Sequence, residues 1–180
     1  YYYFAMEFLQ GGDLLGLLKR RGPIPEADAL IYLYQATRAL QHAWEKGIIH
    51  CDIKPANLML DRNRCLKVTD LGLAVIGQSL RGQDAERGRK VRGTPHYLSP
   101  EQVRDPEHLD CRTDIYSLGA SFYHLLSGRT PFRGKNSREI ILKRLNARAP
   151  ELSSLLPELQ KSTCRLIEDM MQADSEDRIP

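Results

Sequence analysis

The sequence has no long hydrophobic run and few cysteines, and these absences exclude several classes of protein. Its longest notable uncharged run, IYSLGASFYHLLSG at residues 115–128, is shorter than the ~20 residues that a helix needs to cross a bilayer, so it predicts a buried core helix. The four cysteines form no C-x-x-C pair, which argues against a disulfide framework or a zinc site and for reduced thiols in a reducing compartment. The opening residues, YYYFAMEF, contain no secretory signal.

Neither sign of charge predominates. The 26 Lys and Arg residues and the 23 Asp and Glu residues are spread along the chain and leave a net charge of +3, which argues against a nucleic-acid-binding tail. The basic run RGRKVR at residues 87–92 is more typical of a solvated loop than of a docking site. The composition, 42% hydrophobic and 27% charged, suits a soluble globular domain or part of one, with no nucleic-acid partner and no membrane contact.

Hydrophobic patterning predicts a mainly α fold with a small β-hairpin. The opening residues 2–8 have the pattern of a hydrophobic strand that requires neighbours upstream. Asp13 is suited to cap a short helix that follows it. A longer helix is predicted over residues 29–44, ended by Gly47. The apolar face predicted for that helix consists of Leu30, Leu33, Tyr34, Thr37, Leu40 and Trp44.

The predicted hairpin has strands at residues 58–60 and 66–69, joined by the turn sequence DRNR. Residues 76–93 are polar, punctuated by glycine and aperiodic, which predicts a long loop of the kind that is either functional or disordered. Three more helices are predicted, over residues 113–126, 137–146 and about 158–172.

The segment HCDIKPAN at residues 50–57 carries the clearest chemistry. It lies between a helix end and the hairpin, so that Asp52, Lys54 and Asn57 can converge from one loop. Asp70 follows the second strand, and because a hairpin brings its two ends together, it is expected near Asn57. A carboxylate and an amide oxygen suit Mg²⁺, Asp52 can accept a hydroxyl proton, and Lys54 can neutralise a phosphoryl group, a combination that predicts phosphoryl transfer.

Several motifs of the chain, in the order in which they occur, resemble those of eukaryotic-type serine/threonine protein kinases of the bacterial-like group. HCDIKPAN resembles their catalytic loop, DLG at residues 70–72 their magnesium-binding D-F-G, and SPE at residues 99–101 their A-P-E. DIYSLG at residues 114–119 is similar to their buried F helix, and Arg178 resembles the arginine that pairs with the A-P-E glutamate, here Glu101. Lys54 and the sequence GTPHY at 93–97 favour the serine/threonine branch.

The resemblance implies a partial kinase domain over residues 1–180, with a hinge at 1–12, a large C-terminal lobe at 13–180 and an activation segment at about 70–101, and with the small N-terminal lobe absent. It implies ATP and Mg²⁺ as cofactors and a protein substrate that offers a serine or threonine. The implied catalytic residues are Asp52, Lys54 and Asn57, with Thr94 hydrogen-bonded to Asp52 and Lys54. The implied cofactor-binding residues are Glu7, Leu9, Asp13, Lys54, Asn57, Met59 and Asp70, of which Asn57 and Asp70 hold the metal.

The chain departs from the family pattern at two places. Cys51 stands where many kinases have an arginine that binds an activation-segment phosphate, and Lys90 stands four residues before Thr94, where a regulatory phosphate often lies, so we expect no activation by that route. The glycine-rich loop, the strand lysine and the helix glutamate that partners it do not occur in these residues. The chain by itself is therefore expected to be inactive, and to need a missing N-terminal lobe in the full-length protein.

Less specific interpretations remain for several residues. Asp70 alone is more typical of a turn, His50 of a buried structural histidine, and Met59 of a core methionine. Two rival functions are a pseudokinase-like scaffold and a small-molecule phosphotransferase of the aminoglycoside type, which lacks a segment like GTPHYLSPE. The catalytic domain is expected in the cytoplasm, with membrane tethering possible through segments outside this chain.

Overall fold

The structure, a computed structural model, describes residues 3, 5–71, 75–76 and 94–179. As predicted, these residues form a mainly α fold with a small antiparallel sheet. The α-helices are α1 (Leu14–Arg21), α2 (Glu26–Glu45), α3 (Pro100–Arg104), α4 (Arg112–Ser127), α5 (Ser137–Asn146), α6 (Leu152–Leu155) and α7 (Lys161–Met170). The strands are β1 (Gly12–Asp13), β2 (Ile48–Ile49), β3 (Leu58–Leu60), β4 (Leu66–Val68) and β5 (Val75–Ile76).

Asp13 begins helix α1, as its sequence position predicts. Its Oδ1 accepts a hydrogen bond from the backbone N–H of Gly16 at 2.8 Å, which satisfies one of the free donors at the helix start. Gly22 ends the helix with a φ of 79°, and its N–H donates to the carbonyl of Leu18. Leu14 and Leu18 are buried, so that α1 packs on the core behind the sheet.

Helix α2 extends beyond the predicted residues 29–44 at both ends, and its buried face differs from the predicted one. Tyr34 and Trp44 are 63% and 53% exposed, although the prediction placed both on the apolar face. Their amphipathic rings tolerate contact with water, whereas two alanines allow close packing of the helix on its neighbours. The buried face consists of Ala29, Tyr32, Leu33 and Ala36.

Helix α4 forms the centre of the core, which confirms the core helix predicted from the uncharged run. Leu118, Phe122 and Leu125 are at most 1% exposed. Gly119 lies where α4 meets α7, and a Cβ at this position would approach the Cβ of Met170 to 2.8 Å. Glycine therefore permits the two helices to pack closely at this crossing.

The predicted hairpin is formed by β3 and β4, in the register Leu58 with Val68 and Leu60 with Leu66. In the turn, Oδ1 of Asp61 accepts hydrogen bonds from the backbone N–H groups of Asn63 and Cys65. Strand β1 adds to the free edge of β3, so the three strands follow the order β1-β3-β4.

Other boundaries and elements differ from the predictions. No strand occurs among the described residues 3 and 5–8, where Tyr3, Met6 and Phe8 are 90%, 84% and 81% exposed. No neighbouring strand accepts their backbone hydrogen bonds, so the predicted strand over residues 2–8 is wrong for this part of the chain. The final helix, α7, is shorter than predicted, and the pairing of β2 with β5 was not foreseen. Apart from residue 76, which belongs to β5, the predicted long loop at 76–93 lies outside the described residues.

Candidate active site

The loop that contains Asp52 is attached to the core by Asp114 of helix α4. Its two carboxylate oxygens accept hydrogen bonds from the backbone N–H groups of His50, at 2.8 Å, and Cys51, at 2.9 Å. Cys51 has a φ of 64°, a left-handed conformation that costs energy for a residue with a side chain. The side-chain amide of Gln102 donates to the Cys51 carbonyl at 2.7 Å, so both backbone polar groups of Cys51 are held.

Asp114 is 5% exposed, and its burial raises the pKa of its carboxyl group. The hydrogen bonds that it accepts from the N–H groups of His50 and Cys51 act in the opposite direction and lower that pKa. In the sequence, Asp114 stood out only as part of DIYSLG, with no role of its own. An acidic residue at the start of an otherwise apolar buried helix was the available signal, since a buried carboxyl group requires specific partners.

His50 has the buried structural role expected for it. It is fully buried, and its Nε2 lies 2.9 Å from the carbonyl oxygen of Thr69, to which it donates a hydrogen bond. Its Nδ1 then accepts the backbone N–H of Asp52 at 3.3 Å. The imidazole thus connects the loop to the end of the hairpin, and it does not face the reacting groups.

The structure brings Asp52, Lys54 and Asn57 together. Lys54 Nζ lies 2.5 Å from Oδ2 of Asp52, and their side chains are 22% and 10% exposed. The side-chain amide nitrogen of Asn57 donates to the Asp52 carbonyl at 2.9 Å and approaches Oδ2 at 3.4 Å. The backbone N–H of Thr94 donates to Oδ1 at 3.3 Å. Both oxygens of the Asp52 carboxylate are therefore held by hydrogen bonds, and the bond to Thr94 brings the backbone at Thr94 next to Lys54 and Asn57.

Asp70 lies beside this group. The backbone N–H of Thr69 donates to the Asn57 carbonyl at 2.9 Å, which places the next residue adjacent to Asn57. Asp70 is exposed and has a φ of 68°, a left-handed conformation that aspartate tolerates better than most residues. Because the Asn57 amide nitrogen is engaged, its Oδ1 remains as the acceptor, and this oxygen together with the Asp70 carboxylate fits a hard divalent cation.

Two of the residues expected to bind a nucleotide, Asp13 and Met59, lie on one face of the small sheet. Asp13 of β1 and Lys67 of β4 pair with Met59 of β3 in register, so these three residues share one face of the sheet. The backbone groups of Glu7 and Leu9 make no hydrogen bond with other residues that the structure describes. The Asp13 carboxylate is partly used as the cap of α1.

A protein-family model described as protein kinase domain matches residues 1–180. The chain belongs to the protein kinase family. Among curated proteins, it is 36% identical over 166 residues to the serine/threonine-protein kinase PrkC of Bacillus subtilis, covering 92% of this chain and 25% of that protein. It is 37% identical over 156 residues to the serine/threonine-protein kinase PknL of Mycobacterium tuberculosis, covering 86% of this chain and 38% of that protein.

A eukaryotic relative is also similar. The serine/threonine-protein kinase ULK3 of Xenopus laevis is 34% identical over 181 residues, covering 99% of this chain and 36% of that protein. The chain thus spans about a quarter to two fifths of the length of these relatives. Among the residues that the structure describes, none of the helices has both the length and the apolar character to cross a membrane.

The kinase-like ion pair expected from the sequence is present. Arg178, whose side chain is fully buried, forms two hydrogen bonds to the Glu101 carboxylate, at 2.6 and 2.8 Å, and Thr113 adds another at 3.0 Å. Burial acts to raise the pKa of Glu101, but Arg178 outweighs it, and the pKa lies below the usual range. The pair joins α3 to the C-terminal residues and does not touch Asp52, which fits a structural role.

Proposed function

We propose that the full-length protein transfers the terminal phosphoryl group of ATP to serine or threonine hydroxyls of protein substrates. The arrangement around Asp52 is the observation that supports this proposal most strongly. One of its oxygens faces Lys54 and Asn57, and the other meets the Thr94 segment, so a hydroxyl group that arrives between them meets a fixed base.

In this mechanism, Oδ1 or Oδ2 of Asp52 takes the proton from the acceptor hydroxyl as the new O–P bond forms, and the bond from the terminal phosphorus to the bridging oxygen breaks, so that ADP leaves with that oxygen. Lys54, only 2.5 Å from Asp52, places its positive charge where the transferring group accumulates negative charge. Asn57 Oδ1 and the Asp70 carboxylate would hold Mg²⁺, which when bound neutralises charge on the phosphates. The loop that carries these residues is anchored, because its backbone is bonded to Asp114 and Gln102.

For the nucleotide, we propose that the backbone of Glu7 and Leu9 binds the adenine edge and that Met59 packs under the ring. Met59 is half-buried and lies on the face of β3 opposite the buried Leu58 and Leu60, so that it is available to an apolar ring. Asp13 can offer its second carboxylate oxygen to the ribose or to a basic side chain of the substrate, since Oδ1 accepts from Gly16.

We further propose that residues 1–180 do not suffice for activity. The residues that cover and align the phosphates in kinases, a glycine-rich loop and a strand lysine with its glutamate, do not occur in this sequence. The exposed Tyr3, Met6 and Phe8 form an apolar surface that a small N-terminal lobe of the full-length protein would cover. Because ATP is cytoplasmic, we place the catalytic domain in the cytoplasm, and tethering by other segments is compatible with this placement.

The test is transfer of radiolabelled phosphate from ATP by the full-length protein to a mixture of protein acceptors, followed by identification of the labelled amino acid. We expect phosphoserine or phosphothreonine, dependence on Mg²⁺, and loss of about 10³-fold in rate for Asp52→Asn, within the range of general-base catalysis. The matched control is Asp177→Asn, at an exposed aspartate for which no side-chain contact is found in the described part of the chain. Label on a small-molecule hydroxyl only would favour the aminoglycoside-type rival, and no transfer at all would favour the scaffold.

A further inference from the structure

The guanidinium group of Arg144, in helix α5, lies under the segment formed by residues 94–99. Arg144 is 2% exposed, although arginine is seldom buried to this degree. Its Nη2 donates to the carbonyl of His96 at 2.7 Å, and its Nη1 donates to the carbonyl of Leu98. One side chain thus binds two carbonyls of the same short segment.

No carboxylate among the described residues pairs with this buried charge. Its partners besides the two carbonyls are the rings of Phe132 and Tyr116, whose centroids lie 5.4 and 5.6 Å from the guanidinium carbon. Burial lowers the pKa of Arg144, as expected for a cation removed from water. Because a buried ion is costly without compensation, the charge-assisted bonds to the segment and the ring contacts are what offset that cost here.

Not every buried polar atom of residues 94–99 has a hydrogen-bond partner among the described residues. Nδ1 of His96 is buried and has no hydrogen-bond partner among the described residues. Burial raises the pKa of Tyr97 to about 12 and lowers the pKa of His124, and the Tyr97 hydroxyl shares a hydrogen bond of 2.8 Å with Nδ1 of His124. The conformation of residues 94–99 therefore depends on contacts from α4 and α5 and is not determined by the segment alone.

The same segment connects the proposed base to helix α3. At its start, the N–H of Thr94 donates to Asp52, and at its end Ser99 caps α3 in a reciprocal pair of hydrogen bonds with Gln102. Helix α5 is joined to α3 as well, because Arg104 donates to the carbonyl of Leu145 at 2.9 Å. Arg144 therefore binds the middle of residues 94–99, whose two ends are held by other hydrogen bonds.

We propose that Arg144 is a positioning residue for the peptide acceptor, and that it acts by holding the carbonyls of His96 and Leu98 so that residues 94–99 present a defined surface beside Asp52. This inference rests on the proposed function, in which the hydroxyl of a protein substrate reaches Asp52 beside the Thr94 end of this segment. Arg144 does not touch the reacting atoms or the nucleotide residues, so its loss is expected to affect acceptor binding and to leave nucleotide binding unchanged.

The test compares Arg144→Met and Arg144→Lys in the full-length protein with Arg138→Met, a matched change at an exposed position of the same helix. For Arg144→Met we expect the KM for a peptide acceptor to rise about tenfold, with the KM for ATP and the rate of ATP hydrolysis without acceptor within twofold of wild type. That tenfold rise corresponds to loss of about one charge-assisted hydrogen bond. Arg144→Lys should recover part of the effect, because an ammonium group reaches one carbonyl but not both in the same geometry.

Amide hydrogen exchange over residues 94–99 provides a readout that does not depend on catalysis. Faster exchange there in Arg144→Met, with unchanged exchange in α1 and α2, would support the inference. Equal changes in both KM values, or a peptide KM and exchange pattern like those of Arg138→Met, would overturn it. Absence of transfer by the wild-type protein would refute the proposed function, while the exchange comparison would still decide whether Arg144 orders the segment.

Discussion

The catalytic loop at residues 50–57 and the opening residues 3 and 5–9 both belong to the proposed ATP site, yet the chain holds them in opposite ways. The loop is buried at His50 and Asn57 and is bonded to Asp114 and Gln102. The opening residues have no regular structure where described, and Met6 and Phe8 are more than 80% exposed. The residues proposed for proton transfer and metal binding are thus held by contacts within this chain, whereas the described residues proposed for the adenine are held by few.

The largest effect is expected when residues 1–180, which contain both regions, are separated from the rest of the protein. We expect residues 1–180 in isolation to have a kcat/KM at least about 10³-fold below that of the full-length protein, since loss of a single oriented donor at a transferring group already costs 10²–10³-fold. Steady-state phosphorylation of one peptide by both proteins measures this, with the Asp52→Asn full-length protein as the zero level. Activity of residues 1–180 within tenfold of that of the full-length protein would show that these residues suffice for phosphoryl transfer.

Breaking the attachment of the loop should have the next largest effect. Asp114→Asn leaves one acceptor oxygen for two buried N–H groups, so we expect a loss of about 3 kcal/mol in unfolding free energy and a fall of about 100-fold in transfer rate. Urea denaturation and the peptide assay measure the two effects, with Asp177→Asn as the exposed control. Unchanged activity in a destabilised protein would mean that the loop keeps its geometry without the Asp114 carboxylate.

Glu101→Gln should affect stability and leave the chemistry nearly unchanged. Removing one charge from the Glu101–Arg178 pair leaves a buried guanidinium uncompensated, with an expected cost of about 3 kcal/mol at neutral pH. Because folding lowers the pKa of Glu101, its contribution is full above the ordinary glutamate pKa of about 4.3 and is lost as the pH falls through the lower folded value.

The difference in unfolding free energy between wild type and Glu101→Gln should therefore narrow below about pH 4, which denaturation at several pH values can measure. Glu107→Gln, at an exposed glutamate for which no side-chain contact is found in the described residues, is the control. A difference that stays constant from pH 7 to pH 3 would contradict the assignment of the shift to this pair.

The smallest effect is expected at the opening segment. In isolated residues 1–180, Phe8→Ser should change the unfolding free energy by less than about 0.5 kcal/mol, because the ring is exposed. Leu14→Ala, at a fully buried side chain, should cost about 3 kcal/mol and serves as the positive control. In the full-length protein we expect Phe8→Ser to cost about 2 kcal/mol if another lobe covers the ring. Equal small effects in both proteins would argue against that cover.

The sequence predicted well those parts that depend on local chemistry. The Asp13 cap, the hairpin strands and the helix at residues 137–146 follow from hydrogen bonds and periodicity within a few residues, and all three are present. The buried face of α2 was predicted in part: Leu33 is buried as predicted, and Leu30 and Leu40 pack against the core, but Tyr34 and Trp44 are exposed. Burial at Ala29 and Ala36 depends on how the helix packs against its neighbours, which the sequence pattern does not give. No strand forms in the described residues 3 and 5–8, where one was predicted, since a strand forms only beside a partner.

For the site, the residue types and order of Asp52, Lys54, Asn57 and Asp70 could be read from the sequence, because one loop and one hairpin carry the base, the cation and the oxygen ligands that the proposed phosphoryl transfer would use. How the loop that carries them is anchored to the core was decided only by the tertiary structure. Asp114 and Gln102 bond to the loop across 63 and 51 residues, and Arg144 reaches Leu98 across 46. Such contacts leave no local periodicity in a sequence, because they depend on how helices pack, and folding brings those helices together around a shared buried core.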